Sequence, residues 1–468
     1  MLLTEGDDMT TLTHMACGSV RSRGGMRAAV GIARALGFVI ASAFLATGSQ
    51  ASEVAPAGEA PLAPPASSEE MSLQWPRFRG PGGLGISPHQ DVPVEWDGAT
   101  GKNILWKTET PLPGASSPVV WKNRIFLSGS DKDHREVYCL DAATGNILWR
   151  TPLPKAAGAP VDPPTVLQDD TFTGGYAAST LATDGRFVYA MFTTGDIAAL
   201  SFEGRLAWTR NLGAPVNHYG HATSLLTHGS RLIVQFDQGS MPDENLSALL
   251  ALESETGKEV WKSAPRPVPN SWSTPIVIPV GKHEEIVTSG SPWVIAYDPE
   301  KGTELWRAEC LAGEVATSLA FGSGVVLAVS KDAKCAAILP GGQGNVTATN
   351  VLWNAEDGLP SIASPLVANS FVFLADDNGL LTCYGGQDGA KMWEHDFETG
   401  FRSSPAFAEG RVYALDADGV MHIVAAANEF KEIAASPLGE PAEASPAFAD
   451  GRIYLRGVKS IFAIGKKP

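Results

Sequence analysis

Past residue 100 the chain alternates short apolar runs with turn residues, the pattern of antiparallel strands joined by tight hairpins. One unit recurs: an apolar strand, an Asp-led turn, Gly, then a short strand ending in Trp. The clearest copy is Tyr138-Cys139-Leu140-Asp141-Ala142-Ala143-Thr144-Gly145-Asn146-Ile147-Leu148-Trp149. Further closing residues are Trp208, Trp261, Trp306, Trp353 and Trp393, with Ile433 standing in the Trp place of a weaker unit. Trp106 sits in the same short motif, Asn103-Ile104-Leu105-Trp106-Lys107, but no strand pair precedes it. Asp and Thr side chains bond within such a turn, Gly supplies its positive φ, and Trp offers a flat face for packing on a neighbour.

A second signature opens each unit, small residues followed by an apolar strand. It reads Ser116-Ser117-Pro118, Ala178-Ser179-Thr180, Ala222-Thr223-Ser224, Ser273-Thr274-Pro275, Ala316-Thr317-Ser318, Ala363-Ser364-Pro365, Ser403-Ser404-Pro405 and Ala444-Ser445-Pro446. Those are eight openings, spaced by about 45 residues, which suits a four-stranded blade. A single four-stranded sheet cannot bury both faces, so the units must stack, and radial stacking makes a propeller. The last unit supplies three strands, and the orphan strand at Asn103–Thr110 completes it, removing an exposed edge. The expected fold is all-β: an eight-bladed propeller of four-stranded antiparallel blades, closed by its N-terminal strand. Seven blades is the alternative, if the unit from Phe401 to Ser436 is irregular.

Composition agrees. Charged residues are 18% of 468, while Gly 49 and Pro 33 are abundant, which argues against coiled coils and charged bundles. A formal charge of −16 excludes nucleic-acid binding driven by phosphate contacts. Five Cys do not make a disulfide scaffold: Cys139 and Cys383 occupy equivalent repeat positions as small apolar side chains, and Cys310 and Cys335 either pair or stay free.

Arg21, Arg23, Arg27 and Arg34 precede an apolar run over 35–46, and Ser49 and Ala51 stand two apart behind it. This reads as a secretory signal over residues 1–51, too short to span a bilayer, with translation starting at Met9 or Met26. No Cys follows the run to take a lipid anchor. Residues 52–74, rich in Ala, Pro, Ser and Glu, read as a disordered linker, and 75–468 as the propeller. The expected location is secreted, in the periplasm, with no transmembrane segment after cleavage.

These repeats closely resemble the pyrroloquinoline-quinone (PQQ) repeat, Asp-x-x-Thr-Gly followed by a short strand and Trp, over essentially residues 75–465. The segment Trp75-Pro76-Arg77-Phe78-Arg79-Gly80-Pro81 resembles that of secreted PQQ-like propellers. The resemblance covers both BamB-like assembly propellers, which are non-catalytic scaffolds, and quinoprotein alcohol dehydrogenases. A dehydrogenase implies bound PQQ with calcium, a proton-accepting Asp, an aromatic floor and, in the alcohol dehydrogenases, adjacent cysteines. This chain has no Cys-Cys pair and is shorter than those enzymes. The expectation is therefore a non-catalytic binding or scaffold module with no catalytic residues, no metal and no cofactor, which takes a protein partner or small ligand at the propeller face. The alternative is a PQQ-dependent oxidoreductase acting on an alcohol or sugar. Glycan binding on Tyr219 and Trp272 is a third reading.

Candidate ligand residues belong on the face formed by the inter-blade connections and middle hairpins. His218 and His221 lead into the third blade, where His221 either reaches a ligand or bonds a neighbouring blade. Trp272, one blade later, either stacks on a planar ligand or plugs the channel. Arg402 either binds an anion or forms a surface ion pair. Two long loops, Pro152–Gly175 and the hairpin carrying Asp237, Asp243 and Glu244, form a candidate binding rim. Those acids suit calcium in type but lack an EF-hand pattern. Phosphate-loop, zinc-helix and nucleophile-elbow motifs are missing from the sequence.

Overall fold

The computed structural model describes residues 62–154, 175, 177–217 and 219–466. Eight antiparallel sheets follow one another around a ring, each starting at the axis and ending at the circumference. The first comprises Val119–Trp121, Arg124–Ser130, Arg135–Asp141 and Ile147–Pro152. The last comprises Ala447–Ala449, Arg452–Arg456, Ser460–Ile464 and, as its outer strand, Ile104–Glu109 from the N-terminal side. The ring is thus closed by the orphan strand, with Ile104 opposite Ile464 and Glu109 opposite Ser460. The unit from Phe401 is a regular blade of Ala406–Ala408, Arg411–Leu415, Val420–Ala425 and Glu432–Pro437, so the seven-bladed alternative is overturned.

The core lies in the seams between blades. Val119, Phe126 and Cys139 of the first blade pack on Val188, Ala190 and Leu200 of the second, and each later seam repeats the arrangement. At the circumference each Trp docks on the next blade's turn. Trp149 donates its Nε1–H to Phe202 O at 2.8 Å and lies so close over Gly204 that a Cβ there would sit 2.6 Å from the indole. Trp106 covers Gly145, Trp208 covers Gly257, Trp261 covers Gly302 and Trp353 covers Gly389 in the same way. The glycines therefore serve twice, adopting positive φ and leaving room for the ring.

Three seams depart from the rule. The fifth blade's outer hairpin is lengthened, and Gly344–Asn345 within it pairs in parallel with Glu304–Glu309 of the fourth. Trp306, with no glycine turn ahead of it, donates instead to Glu285 Oε2 of its own blade at 2.7 Å. In the seventh blade Ile433 is not in the Trp place. Its turn has one extra residue and no Gly, so Ala434 stands opposite Ile423 where other blades put Trp, and Ile433 is bulged out and exposed. Phe430 from that turn meets Trp393 at 5.4 Å. Ala434 packs in the cluster that holds buried Trp96, whose N–H donates to Ser436 Oγ.

Residues 62–74 correct the expected disordered linker. Ala66 N–H bonds to Asp184 O, Ser67 caps a short helix over Ser68–Ser72, and Ala66 and Met71 pack on the seam containing Trp121. Apolar contact and capping order this stretch despite its composition. Residues 1–61, read above as a signal and the first part of the linker, lie outside the described residues. No helix among the described residues is long and apolar enough to cross a membrane.

Candidate functional site

The eight opening signatures meet at the axis. Ser117 N–H donates to Thr180 Oγ1, Thr180 to Ser224 and Ser224 to Thr274, and the relay continues through Ser318, Ser364, Ser404 and Ser445. Ser445 N–H returns to Ser117 Oγ at 3.0 Å, and all eight bonds are 2.9 or 3.0 Å long. A small hydroxyl residue is required at each place: it accepts from one neighbour and leaves the axis open.

The segment from Trp75 to Ser87 crosses one end of this channel and closes it. Trp75 exchanges both backbone bonds with Val120 of the first blade and packs on Phe448 of the eighth at 5.3 Å. Pro76 O accepts from Thr183 N–H of the second. Arg77 Nη2 donates to Pro275 O of the fourth, while Arg79 donates to Leu319 O and Pro365 O of the fifth and sixth. Ser87 N–H donates to Phe407 O of the seventh. Burial holds both guanidinium pKa values below the ordinary range, at about 9, and Arg77 further depresses Arg79.

The other end opens as a cavity of about 550 Å³ among the inter-blade connections and middle hairpins. Phe78 and the eight ring residues line it. Two residues before each ring hydroxyl, and so on the same side of the extended chain, stand Ala115, Ala178, Ala222, Trp272, Ala316, Ile362, Arg402 and Glu443. The small residues leave the mouth wide, while Trp272 and Tyr219, 5.2 Å apart and tilted by 54°, make an aromatic wall. Trp272 Nε1 donates to Gly220 O at 3.1 Å, which fixes the indole against the wall rather than across the channel. Opposite lie charged pairs: Arg402 on Glu443 at 3.2 Å and Lys331 on Asp377 at 2.8 Å, with Glu314 and Asp332 nearby in the lining.

The structure brings Trp272 and Arg402 to one cavity and leaves the other candidates outside it. His221 is buried against Phe236, with ring centroids 5.6 Å apart, and does not line the cavity. Burial pushes its pKa down to about 4. His218 and most of the long loop over 152–175 lie outside the described residues. Asp237 is not a rim acid. It is fully buried and paired with Arg266, and it accepts from Ser271 Oγ at 2.6 Å and Gln235 Nε2 at 2.7 Å. Burial pushes its carboxyl up against those donors, which hold the charged form. Asp243 and Glu244 are exposed in the hairpin, where Glu244 accepts from Ser240 and Met241 N–H within its own loop. Cys139, Cys310, Cys335 and Cys383 are all free and buried, and burial raises each thiol, Cys335 to about 12. Glu443, Lys331, Asp332, Glu314 and Phe78 were not legible as site residues. Register against the ring hydroxyls is the signal that would have found Glu443.

Ca²⁺ takes six to eight converging oxygen ligands. Among the described residues no three His, Cys, Asp or Glu side chains converge in this way, and the cavity's Glu443 is engaged by Arg402. The tilted Tyr219–Trp272 pair is not a parallel floor for a planar ring. These residues do not fit a calcium–quinone centre.

Eight four-stranded blades around a hydroxyl-belted channel, blocked at one end and open at the other, define a PQQ-repeat β-propeller. The chain belongs to the family of outer membrane protein assembly factor BamB, whose profile matches residues 39–221, 244–363 and 342–429. It is 27% identical over 143 residues to outer membrane protein assembly factor BamB of Shewanella oneidensis; that stretch spans 28% of this chain and 35% of the relative. Among solved structures, BamB from Moraxella catarrhalis superposes with a TM-score of 0.55 at 15% identity, over 78% of this chain and 97% of that one. A quinohemoprotein alcohol dehydrogenase from Comamonas testosteroni superposes with a TM-score of 0.62 at 14% identity, over 85% and 82%. These likenesses show the fold, which carries both an assembly factor and a dehydrogenase, so function is argued from the site.

Proposed function

We propose that the chain is a secreted, periplasmic binding or scaffold module without catalysis, which engages a protein partner at the open end of its channel. One observation carries this reading: the plugged channel leaves a single-mouthed, amphipathic cavity whose two basic side chains, Arg402 and Lys331, are engaged by Glu443 and Asp377. A concave site with an aromatic wall and a few polar groups suits recognition. Val216, Met241 and Leu246 are 57%, 60% and 41% exposed in the connection and hairpin joined by the Gly239–Val216 bond. The assembly role named for the family supports a protein partner, and the arginine-led apolar run over 35–46 supports export.

The test is photo-crosslinking in intact cells from benzoylphenylalanine placed at Met241, with Ile147 on the circumference as control. A discrete adduct of one identified protein from Met241 and none from Ile147 is expected. Equal labelling at both positions removes the open face as the interface. Stoichiometric retention of PQQ with calcium, together with dye reduction by an alcohol or sugar, replaces the reading with the oxidoreductase.

A further inference from the structure

The fifth blade sets two carboxylates between the aromatic wall of the fourth and Asp377 of the sixth. Glu314 belongs to the connection entering that blade, and its neighbour Val315 accepts Trp272 N–H at 2.9 Å, which ties the connection to the wall. Asp332 comes from the blade's middle hairpin, whose Ser330 hydroxyl accepts from Ala312 N–H and donates to Ala312 O, clamping hairpin to connection. The fit is close enough that a Cβ at Gly313, beside Glu314, would collide with Asp332 Oδ2. Both acids are exposed and line the cavity together with Tyr219 and Trp272. Neither makes a hydrogen bond or an ion pair among the described residues. The basic groups of the lining are engaged by other acids, Lys331 by Asp377 at 2.8 Å and Arg402 by Glu443 at 3.2 Å. Two neighbouring carboxylates in a concave site therefore have no cation of their own, and the cavity walls focus their field on whatever enters. Deeper in, the eight ring residues, none more than 5% exposed, line the same space. Each ring oxygen accepts one backbone N–H and donates to no acceptor among the described residues, so a lone pair and a hydrogen on each are unused by the protein.

We infer that the cavity takes a basic side chain, lysine or arginine, carried by the protein partner. A cation beside Trp272 and Tyr219 is attracted by the faces of the rings. Glu314 and Asp332 offer it charge-assisted hydrogen bonds, and the spare lone pairs of the ring hydroxyls accept its remaining N–H groups at the base. A carboxylate entering here would meet two uncompensated like charges, and an apolar group would leave the acids without a partner. The charge of −16 over the whole chain steers a basic partner in the same sense. This inference rests on the open end being the partner's site, and adds which kind of residue enters it.

The probes are N-acetyl-arginine amide, its lysine counterpart and N-acetyl-citrulline amide, an uncharged isostere of the first. The readout is the indole N–H resonance of Trp272, assigned by its loss in Trp272→Phe. Saturable movement of that resonance with the arginine and lysine probes, and none with citrulline, is expected. Glu314→Gln and Asp332→Asn, both at exposed positions, should each weaken the charged probes about threefold, and together about tenfold. Citrulline binding as tightly as arginine, or charged probes binding the double variant as tightly as the original chain, overturns the cation site. In cells, the double variant should lower the yield of the Met241 adduct severalfold. An undiminished adduct overturns the assignment to a side chain of the partner and leaves the open-face reading standing. Equal labelling at Met241 and Ile147 removes that reading and the partner as the source, while the probe titration still decides the cation site.

Discussion

Ser445, in the last blade, donates its backbone N–H to Ser117 Oγ in the first at 3.0 Å, and this bond closes a belt begun 328 residues earlier in the chain. Each member of the belt is an acceptor for a buried N–H that has no other partner. Ser117→Ala should therefore cost about 1–3 kcal/mol, the penalty for orphaning a buried donor. Ser117→Thr keeps the oxygen, as Thr180 and Thr274 do naturally, and should cost less. Urea-unfolding midpoints of the two variants check the order.

Gly204 and Gly229 both have positive φ, but only Gly204 lies beneath an indole. Gly229→Ala meets open space and should cost only the backbone term, about 1–2 kcal/mol. Gly204→Ala adds a collision with Trp149 and should cost about 1–3 kcal/mol more. Equal thermal shifts for the two variants would mean that the Trp dock yields at no cost.

His221 gives the fold a pH dependence. Its pKa is held at about 4 by burial, against 6.5 when exposed. The unfolded chain therefore takes up the proton first as pH falls. Stability is fully present above 6.5 and is lost progressively down to 4, by about 3 kcal/mol at 1.36 kcal/mol per pK unit. Replacing His221 with Gln should flatten the curve between pH 6.5 and 4, measured as the unfolding midpoint at each pH.

Asp237 and Asp243 share a hairpin but differ in setting. Asp237→Asn removes the charge partner of buried Arg266 and should destabilise by about 3–5 kcal/mol. Asp243→Asn, on the exposed loop, should stay within about 0.5 kcal/mol. The same urea midpoints decide whether these acids form one rim, as their sequence proximity implies, or a core pair and a surface residue.

The blades were legible because their signals are local. Asp141 through Gly145 folds its own turn, and Trp149 follows at a fixed spacing, so strand order, blade number and the closing role of Trp106 could be read along the chain. Reading Ile433 as a Trp substitute failed because one added turn residue moves the register by one, and only the pairing with Ile423 reveals it. Trp272 and Arg402 were found because each stands just before an opening signature. His221 stands as close to one, yet its ring turned toward Phe236.

By itself, then, the sequence determined the repeat and the hydroxyl at each opening, which are properties of residues within one hairpin of each other, and the closure of the last blade, because an orphan strand and a three-strand unit stand at the two ends of the repeat. Tertiary structure alone decided that the Trp75–Ser87 segment stops the channel, that Asp237 is buried on Arg266, and that Arg402 meets Glu443 across two blades. Those contacts join segments tens to hundreds of residues apart, and a pattern with a period of two along a strand carries no information about which side chains face one another once the ring has closed.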